Sequence, residues 1–314
     1  MHFRTSVIAL LLLFVTIVSS AQEKHFVLQP NWSSQAQFAG YYIAQEMGFY
    51  KEEGIDLTII HPFPSQGIEE RIHNKEIDAF ILPLAQAMEL RSQGTPLVNI
   101  LQTSMNSAIM LISRLGGNPL EMKGAKTIMW RGGFGQIPRC FSEIEGLDYK
   151  WIVASTSTNI FVSGAVDITL AMSYNEYYQI LQTGIITPDK GIFRFSENGY
   201  NIQEDGVWVK KETYDRDPEA AKKFARASRK GWEWVAANPE KALDIVMAYV
   251  KKYRIPTNRV LQKLMLEEIL RLQLDKDSGR RDFTLRPDMV DKASTILKKG
   301  GLIDKDITYE ELMP

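Results

Sequence analysis

Glu176 stands in a dense run of flat and polar side chains, Ala171-Met172-Ser173-Tyr174-Asn175-Glu176-Tyr177-Tyr178. A carboxylate accepts hydrogen bonds from an amino group or a protonated ring nitrogen, and charge-assisted bonds of this kind are the strong ones. The run follows an apolar stretch, Val166 to Ala171, and opens a helical pattern, so Glu176 belongs either to a cleft rim or to a solvated helix face. Trp32 is a second candidate. It lies between a strand end at Gln29 and a helix of about four turns, where an aromatic plate beside free helix N–H groups suits a small flat or anionic ligand. The same ring would equally pack beneath that helix. A third candidate is the loop after Trp130, Arg131-Gly132-Gly133-Phe134-Gly135-Gln136-Ile137-Pro138. Its glycines free the backbone to approach a ligand and to present N–H groups. It lacks the phosphate-loop and dinucleotide patterns, and a plain turn satisfies it too.

Catalytic patterns are weak. His25, His61 and His73 do not form a metal motif such as HExxH, and there is no G-x-S-x-G elbow. Cys140 is the only cysteine, so no intrachain disulfide forms; with no histidine near it in sequence, it reads as a small buried hydrophobe. No cofactor is expected.

These candidates need elements to hold them. Lys24–Gln29, Ile55–Ile60, Ile77–Leu82 and Leu97–Gln102 read as strands alternating with helical segments, which predicts a mostly parallel, open α/β sheet. Ligands of such sheets sit beyond the carboxyl ends of the strands, where the loops at Trp32, Pro83 and Gln102 fall. After a strand Ala108–Ser113, the break Gly116-Gly117-Asn118-Pro119 marks a crossing into a second lobe with strands Lys126–Trp130, Trp151–Ala154 and Val166–Ala171. Val207–Lys210 returns. The last third is helical, with Asp217-Pro218-Glu219 and Asn238-Pro239-Glu240 as start signals. The expected division is a leader at 1–21, one lobe of 22–112 plus 206–314, and a second lobe of 113–205.

The leader combines His2 and Arg4 with the apolar run Val7–Val18 and the small residues Ser19-Ser20-Ala21, a secretory pattern too short to span a membrane comfortably. The 314 residues hold 37 lysines and arginines against 38 acids, a formal net charge of −1. Loss of Arg4 with the leader makes the exported chain one unit more negative. That near-balance gives no footing for nucleic acid. With 45% hydrophobic and 24% charged residues the composition is that of an ordinary globular protein.

The stretch Trp32 to Leu57, with Gly40-Tyr41-Tyr42-Ile43-Ala44-Gln45-Glu46 and Gly48-Phe49-Tyr50 followed by Glu53-Gly54-Ile55-Asp56-Leu57, resembles the opening of the periplasmic solute-binding proteins of the thiamine-precursor group. That group includes the hydroxymethylpyrimidine-synthase-like proteins and neighbours the sulfonate, taurine and nitrate binders. The likeness covers nearly the whole chain beyond the leader. It implies an α/β, two-lobed type II periplasmic binding protein fold with a ligand cleft between lobes. It also implies a binding role rather than catalysis, a small-molecule ligand, an ATP-driven importer's membrane permease as partner, and a monomer in the periplasm. The expected ligand is hydroxymethylpyrimidine or formylaminopyrimidine. Trp32, Phe38 and Tyr41 would offer aromatic surface from the first lobe, above a floor of Pro83 and Gln102. Trp130, Gly133, Tyr174, Asn175 and Glu176 would close from the second, with Glu176 on the aminopyrimidine edge and Tyr174 or Trp32 stacked on the ring.

One departure matters. Phe38 occupies a position that is often histidine in these binders, and in the fungal synthases of this fold an active-site histidine supplies atoms to the product. Those synthases also carry a cysteine-rich tract that a chain with one cysteine lacks. A sulfonate-type anion binder, with Arg131 or Arg139 as donors, a synthase-like enzyme, and a receptor presented to a membrane sensor are the alternative readings.

Overall fold

Short apolar runs bounded by Gly, Pro and polar clusters become ten strands in this computed structural model, which describes residues 23–62, 68–73, 77–130, 133–154, 157–188 and 190–314. In chain order they are β1 (Lys24–Gln29), β2 (Ile55–Ile59), β3 (Ala79–Pro83), β4 (Leu97–Gln102), β5 (Ile109–Ser113), β6 (Lys126–Trp130), β7 (Lys150–Ala154), β8 (Ile168–Met172), β9 (Ile192–Arg194) and β10 (Asp205–Lys210). They make two five-stranded sheets, β2-β1-β3-β10-β4 and β7-β6-β8-β5-β9. β3, β5 and β8 are buried along their whole length, as strands sandwiched between layers must be.

The sheets are mixed rather than mostly parallel. β1 runs parallel to β2 and β3, but β10 enters antiparallel between β3 and β4. In the other sheet β5 is antiparallel to β8 and β9. The cause is the chain path: a strand arriving from the opposite sheet enters against the local direction. Thus Ile109–Ser113 pairs in the second sheet, although the expected division leaves most of it in the first lobe. β10 likewise begins at Asp205. The chain changes sheets between β4 and β5 and again between β9 and β10, and we place the lobe boundaries in those crossings. The expected leader, residues 1–21, lies outside the described residues, as do Arg131, Gly132 and part of the helical segment expected at 65–75.

Trp32 precedes a 3-10 turn, Ala36–Phe38, and the helix Ala39–Glu46. The expected four-turn helix breaks at Gly48, whose φ of 76° starts a separate helix, Phe49–Glu52. Gly40 and Gly231 let the helices Ala39–Glu46 and Pro218–Ala237 touch backbone to backbone; a Cβ on Gly231 would run into the Gly40 carbonyl, and one on Gly40 into the Trp232 ring. That contact seats Trp232 edge-on to Tyr41, with ring centroids 5.9 Å apart.

Asp217 caps the helix Pro218–Ala237 by accepting from Ala220 N at 3.1 Å. Asn238 begins the next helix without a side-chain cap and instead donates to the Trp234 carbonyl. Cys140 is buried against Gly300, and burial pushes its thiol up to about 11, so it stays protonated and packs as a hydrophobe.

Candidate ligand-binding cleft

The carboxyl ends of the strands deliver the candidate side chains to the seam between the sheets. Trp32 follows β1, Trp130 ends β6, and Tyr174, Asn175 and Glu176 follow β8. Trp32 and Trp130 meet edge to face across the seam, with centroids 6.2 Å apart and planes at 75°. Together with Tyr174, Glu176, Gln37 and Phe134 they line a narrow void of about 10 Å³, room for about one water molecule, so the cleft stands closed. Hydrogen bonds also join the lobes near it: Gln136 Nε2 donates to Glu89 Oε2 at 2.9 Å, and Ser173 Oγ to Glu268 Oε1 at 2.6 Å.

Glu176 is 4% exposed. One oxygen accepts from Met172 N at 3.1 Å and the other from Asn175 Nδ2 at 2.9 Å. Burial pushes its carboxyl up to about 7, partly offset by those hydrogen bonds. Near neutrality it is therefore available both as an acceptor and as a protonated donor. Asn175 is fixed in turn by Gln179 Nε2 at 2.7 Å. Burial, then the neighbouring Asp205, Glu204 and Glu176 carboxyls, keep the Tyr174 phenol neutral.

Trp32 is positioned from below by His61. A carbonyl only accepts, so His61 Nδ1 carries the proton it donates to Trp32 O at 2.8 Å, and Nε2 accepts from the Tyr42 hydroxyl at 2.9 Å. The Tyr42 oxygen can then accept from Ser34 Oγ at 3.0 Å. Desolvation lowers His61 to about 4, consistent with the neutral ring this chain requires.

Other expected residues lie elsewhere. Phe38 is completely buried and packs at 5.7 Å from the His61 ring, so it supports the Trp32 loop from within instead of widening an aromatic box. Tyr41 is also core, behind the cleft, because the close helix contact at Gly40 turns its ring onto Trp232. Gln102 is a strut: its Nε2 donates to the carbonyls of Ser104, Glu204 and Asp205, and its Oε1 accepts from Asn99. Pro83 lines a neighbouring void of about 10 Å³ with Phe134 and Glu204. Gly133 approaches the first lobe, where a Cβ on it would sit 3.3 Å from Gln86 Oε1.

Several lining residues escaped the sequence reading. Phe134 is one: following the expected Gly133, it has φ of 53° after that residue's 44°, and two successive left-handed residues set the Phe134 ring between the first two cavities. Gln37 belongs to the 3-10 turn and donates to Asp205 Oδ2 at 2.6 Å, while Asn31 Nδ2 donates to Oδ1 at 3.0 Å. Glu204 accepts from Ser107 Oγ at 2.5 Å and from Ala108 N. Burial pushes Asp205 up to about 6 and Glu204 up to about 8. The available signal was Gln203-Glu204-Asp205, two acids immediately before an apolar strand. Among the described residues, none of those lining this cavity or its two neighbours is lysine, arginine or histidine. Arg139 is exposed. The arrangement offers flat aromatic faces and hydrogen-bond acceptors, with buried carboxyls able to meet an amino or protonated nitrogen.

Comparison with known proteins agrees with this architecture. Residues 35–242 match the family model described as NMT1/THI5 like. The chain is 24% identical over 268 residues to a formylaminopyrimidine-binding protein of Halalkalibacterium halodurans, covering 78% of this chain and 76% of that one. It is 22% identical to the riboflavin-binding protein RibY of Chloroflexus aurantiacus, over 74% of this chain and 68% of the relative. A 4-amino-5-hydroxymethyl-2-methylpyrimidine phosphate synthase of Legionella pneumophila is 20% identical over 76% of this chain and 77% of its own. Among solved structures, the periplasmic aliphatic sulphonate binding protein SsuA of Escherichia coli superposes with a TM-score of 0.64 at 11% identity, covering 93% of this chain and 92% of that one.

Proposed function

The chain belongs to the NMT1/THI5-like family, and from that premise we propose that it is the exported solute-binding subunit of an ATP-driven importer, capturing a thiamine-type aminopyrimidine between its lobes. The observation that carries this reading is the cavity flanked by Trp32 and Trp130, whose polar wall is Glu176 held by Asn175 and Met172. A flat ring admitted as the lobes part would bury its faces on the indoles, with its exocyclic amino group and ring nitrogen meeting the carboxyl. Hydroxymethylpyrimidine and formylaminopyrimidine fit this chemistry; the relative that binds formylaminopyrimidine supports the choice.

A sulfonate is disfavoured by the same lining, since a buried anion needs compensating charge and, among the described residues, this cleft presents carboxyls and no cationic side chain. A synthase role is disfavoured by His61, whose two ring nitrogens are engaged in holding Trp32 and Tyr42 and which does not line the cavity. Hinge closure over the ligand would present the closed form to a permease. The secretory pattern at the N-terminus supports a periplasmic address.

The test is calorimetric titration of the chain, freed of leader and ligand, with hydroxymethylpyrimidine, formylaminopyrimidine, riboflavin and an alkanesulfonate. Pyrimidine binding that Glu176→Gln weakens supports the proposal. Binding confined to the sulfonate or to riboflavin overturns the ligand assignment.

A further inference from the structure

Asp205 opens β10, where the chain returns from the second sheet, and it fastens two separate parts of the first lobe. Its backbone carbonyl accepts from Thr103 N and Ser104 N, both at 3.0 Å, from Thr103 Oγ1 at 2.9 Å and from Gln102 Nε2 at 3.0 Å. Those donors begin the other crossing, which leads from β4 to β5. The Glu204 carboxyl accepts from Ser107 Oγ and Ala108 N at the far end of that crossing. The two crossings are thus laced together at Glu204 and Asp205. The Asp205 side chain serves the loop that carries Trp32. Asn31 Nδ2 donates to Oδ1 at 3.0 Å and Gln37 Nε2 to Oδ2 at 2.6 Å, while Gln37 Oε1 accepts from Gln35 Nε2 at 2.6 Å. One carboxyl therefore joins both ends of the segment 31–37, with Trp32 inside it. Holding it there is costly: both oxygens are met by neutral amides, and burial pushes the carboxyl up to about 6. Stability alone is a poor account of a buried carboxyl so placed, since neutral side chains fill such places at less cost.

We propose that Asp205 is a positioning residue: its carboxyl clasps the two ends of segment 31–37 so that Trp32 is held facing Trp130, and its backbone ties that loop to the hinge. The inference rests on the ring-binding reading above and adds how the first-lobe platform is set and how it is joined to lobe closure. Trp32 then has two anchors. His61 holds its carbonyl, and Asp205 holds its flanks from the strand that follows the crossing. Neither Asn31 nor Asp205 lines the void between the tryptophans, so an effect of Asn31 on a bound ring passes through the loop it restrains. An indole fixed before the ligand arrives loses little freedom on binding, and that preorganisation raises affinity.

The test is a double-mutant cycle read by calorimetric titration with hydroxymethylpyrimidine and with formylaminopyrimidine. Wild type, Asn31→Ala, Asp205→Asn, Trp32→Ala and the two doubles with Trp32→Ala are compared, each with its melting temperature. Asn31→Ala removes one arm of the clasp and no side chain that lines the void. It is expected to weaken binding roughly three- to tenfold, as for one hydrogen bond, and Asp205→Asn by at least as much. In the Trp32→Ala background each loss should fall below about twofold, because a clasp that acts through the indole has nothing left to position. A residue that only stabilises the fold would lower the melting temperature and weaken binding alike in both backgrounds. Should Asp205→Asn fail to fold, the Asn31→Ala cycle decides alone. Losses of equal size with and without Trp32, or no loss at all, overturn the clasp while the ring-binding reading stands. If the wild-type chain binds neither pyrimidine at millimolar concentration, the ring-binding reading falls and the clasp's role falls with it.

Discussion

Trp32, in the loop after the first strand of one sheet, and Trp130, at the last residue of a strand in the other, meet edge to face with centroids 6.2 Å apart. No shared element joins them, so their meeting reports how the lobes close. A flat ring admitted between the lobes there would lie against one or both indoles, so on the proposed function the tryptophans should report ligand binding.

Trp130→Ala and Trp32→Ala should each weaken binding of the pyrimidine by roughly 1–3 kcal/mol, the range for loss of an aromatic platform under a base. Intrinsic fluorescence of the wild-type chain should change on titration, and that change should be smaller in either variant. Affinities equal to wild type would remove the tryptophan concerned from the site.

Glu176→Gln keeps the shape of the side chain and removes its ability to ionise. The expected loss is about 1.5–3 kcal/mol if the ligand presents a charged partner, nearer 1 kcal/mol if it is neutral. Titration of the variant with neutral hydroxymethylpyrimidine and with an analogue of the same ring bearing a cationic 5-aminomethyl group measures both cases.

Phe38 offers the opposite expectation. Because it packs in the core against His61, Phe38→Leu should cost stability by about 1 kcal/mol or somewhat more, as for a core swap with changed shape, and leave pyrimidine affinity within about twofold, less than 0.5 kcal/mol. Denaturant midpoints and titration check the two halves separately.

The unliganded fold should lose stability as pH rises from about 6.5 to 8.5. In the folded chain burial pushes Glu176 up to about 7 and Glu204 up to about 8, while both ionise near pH 4.5 when unfolded. The folded state therefore binds more protons in this window, and stability falls as those protons leave. His61, lowered to about 4, is neutral in both states above its ordinary value of 6.5 and does not contribute there. Urea midpoints at the two pH values read the slope, and Glu204→Gln, a neutral mimic of the protonated acid, should flatten it.

Gly231→Ala should destabilise the first lobe by roughly 1–3 kcal/mol, the usual cost of overpacking, because its Cβ would meet the Gly40 carbonyl and the Ala44 side chain. A thermal melt decides it. An unchanged melting temperature would mean that the helices Ala39–Glu46 and Pro218–Ala237 part without cost.

Much of the fold was legible in the chain because its signals are local. Strand β1 and the turn toward Trp32, the Asp217 cap and the burial of Cys140 each follow from the chemistry of a few neighbouring residues. So does the placement of Trp32, Trp130 and Glu176 at strand ends, where open α/β sheets bind ligands. The pattern could not reveal direction or partners. A run such as Asp205–Lys210 is as apolar in an antiparallel strand as in a parallel one, so its insertion between β3 and β4 was decided by the chain's return from the other sheet. That insertion brings Glu204 and Asp205 to the cleft from a position more than 160 residues beyond Asn31 and Gln37, the side chains that hold Asp205. Tertiary packing likewise sent Phe38 and Tyr41 inward and left Phe134, Trp232 and Gln273 facing cavities. The sequence by itself determined the local elements and the aromatic and carboxylate chemistry. Only the tertiary structure decided which of those groups share a cavity, because burial and hydrogen-bond partnership are properties of segments distant along the chain.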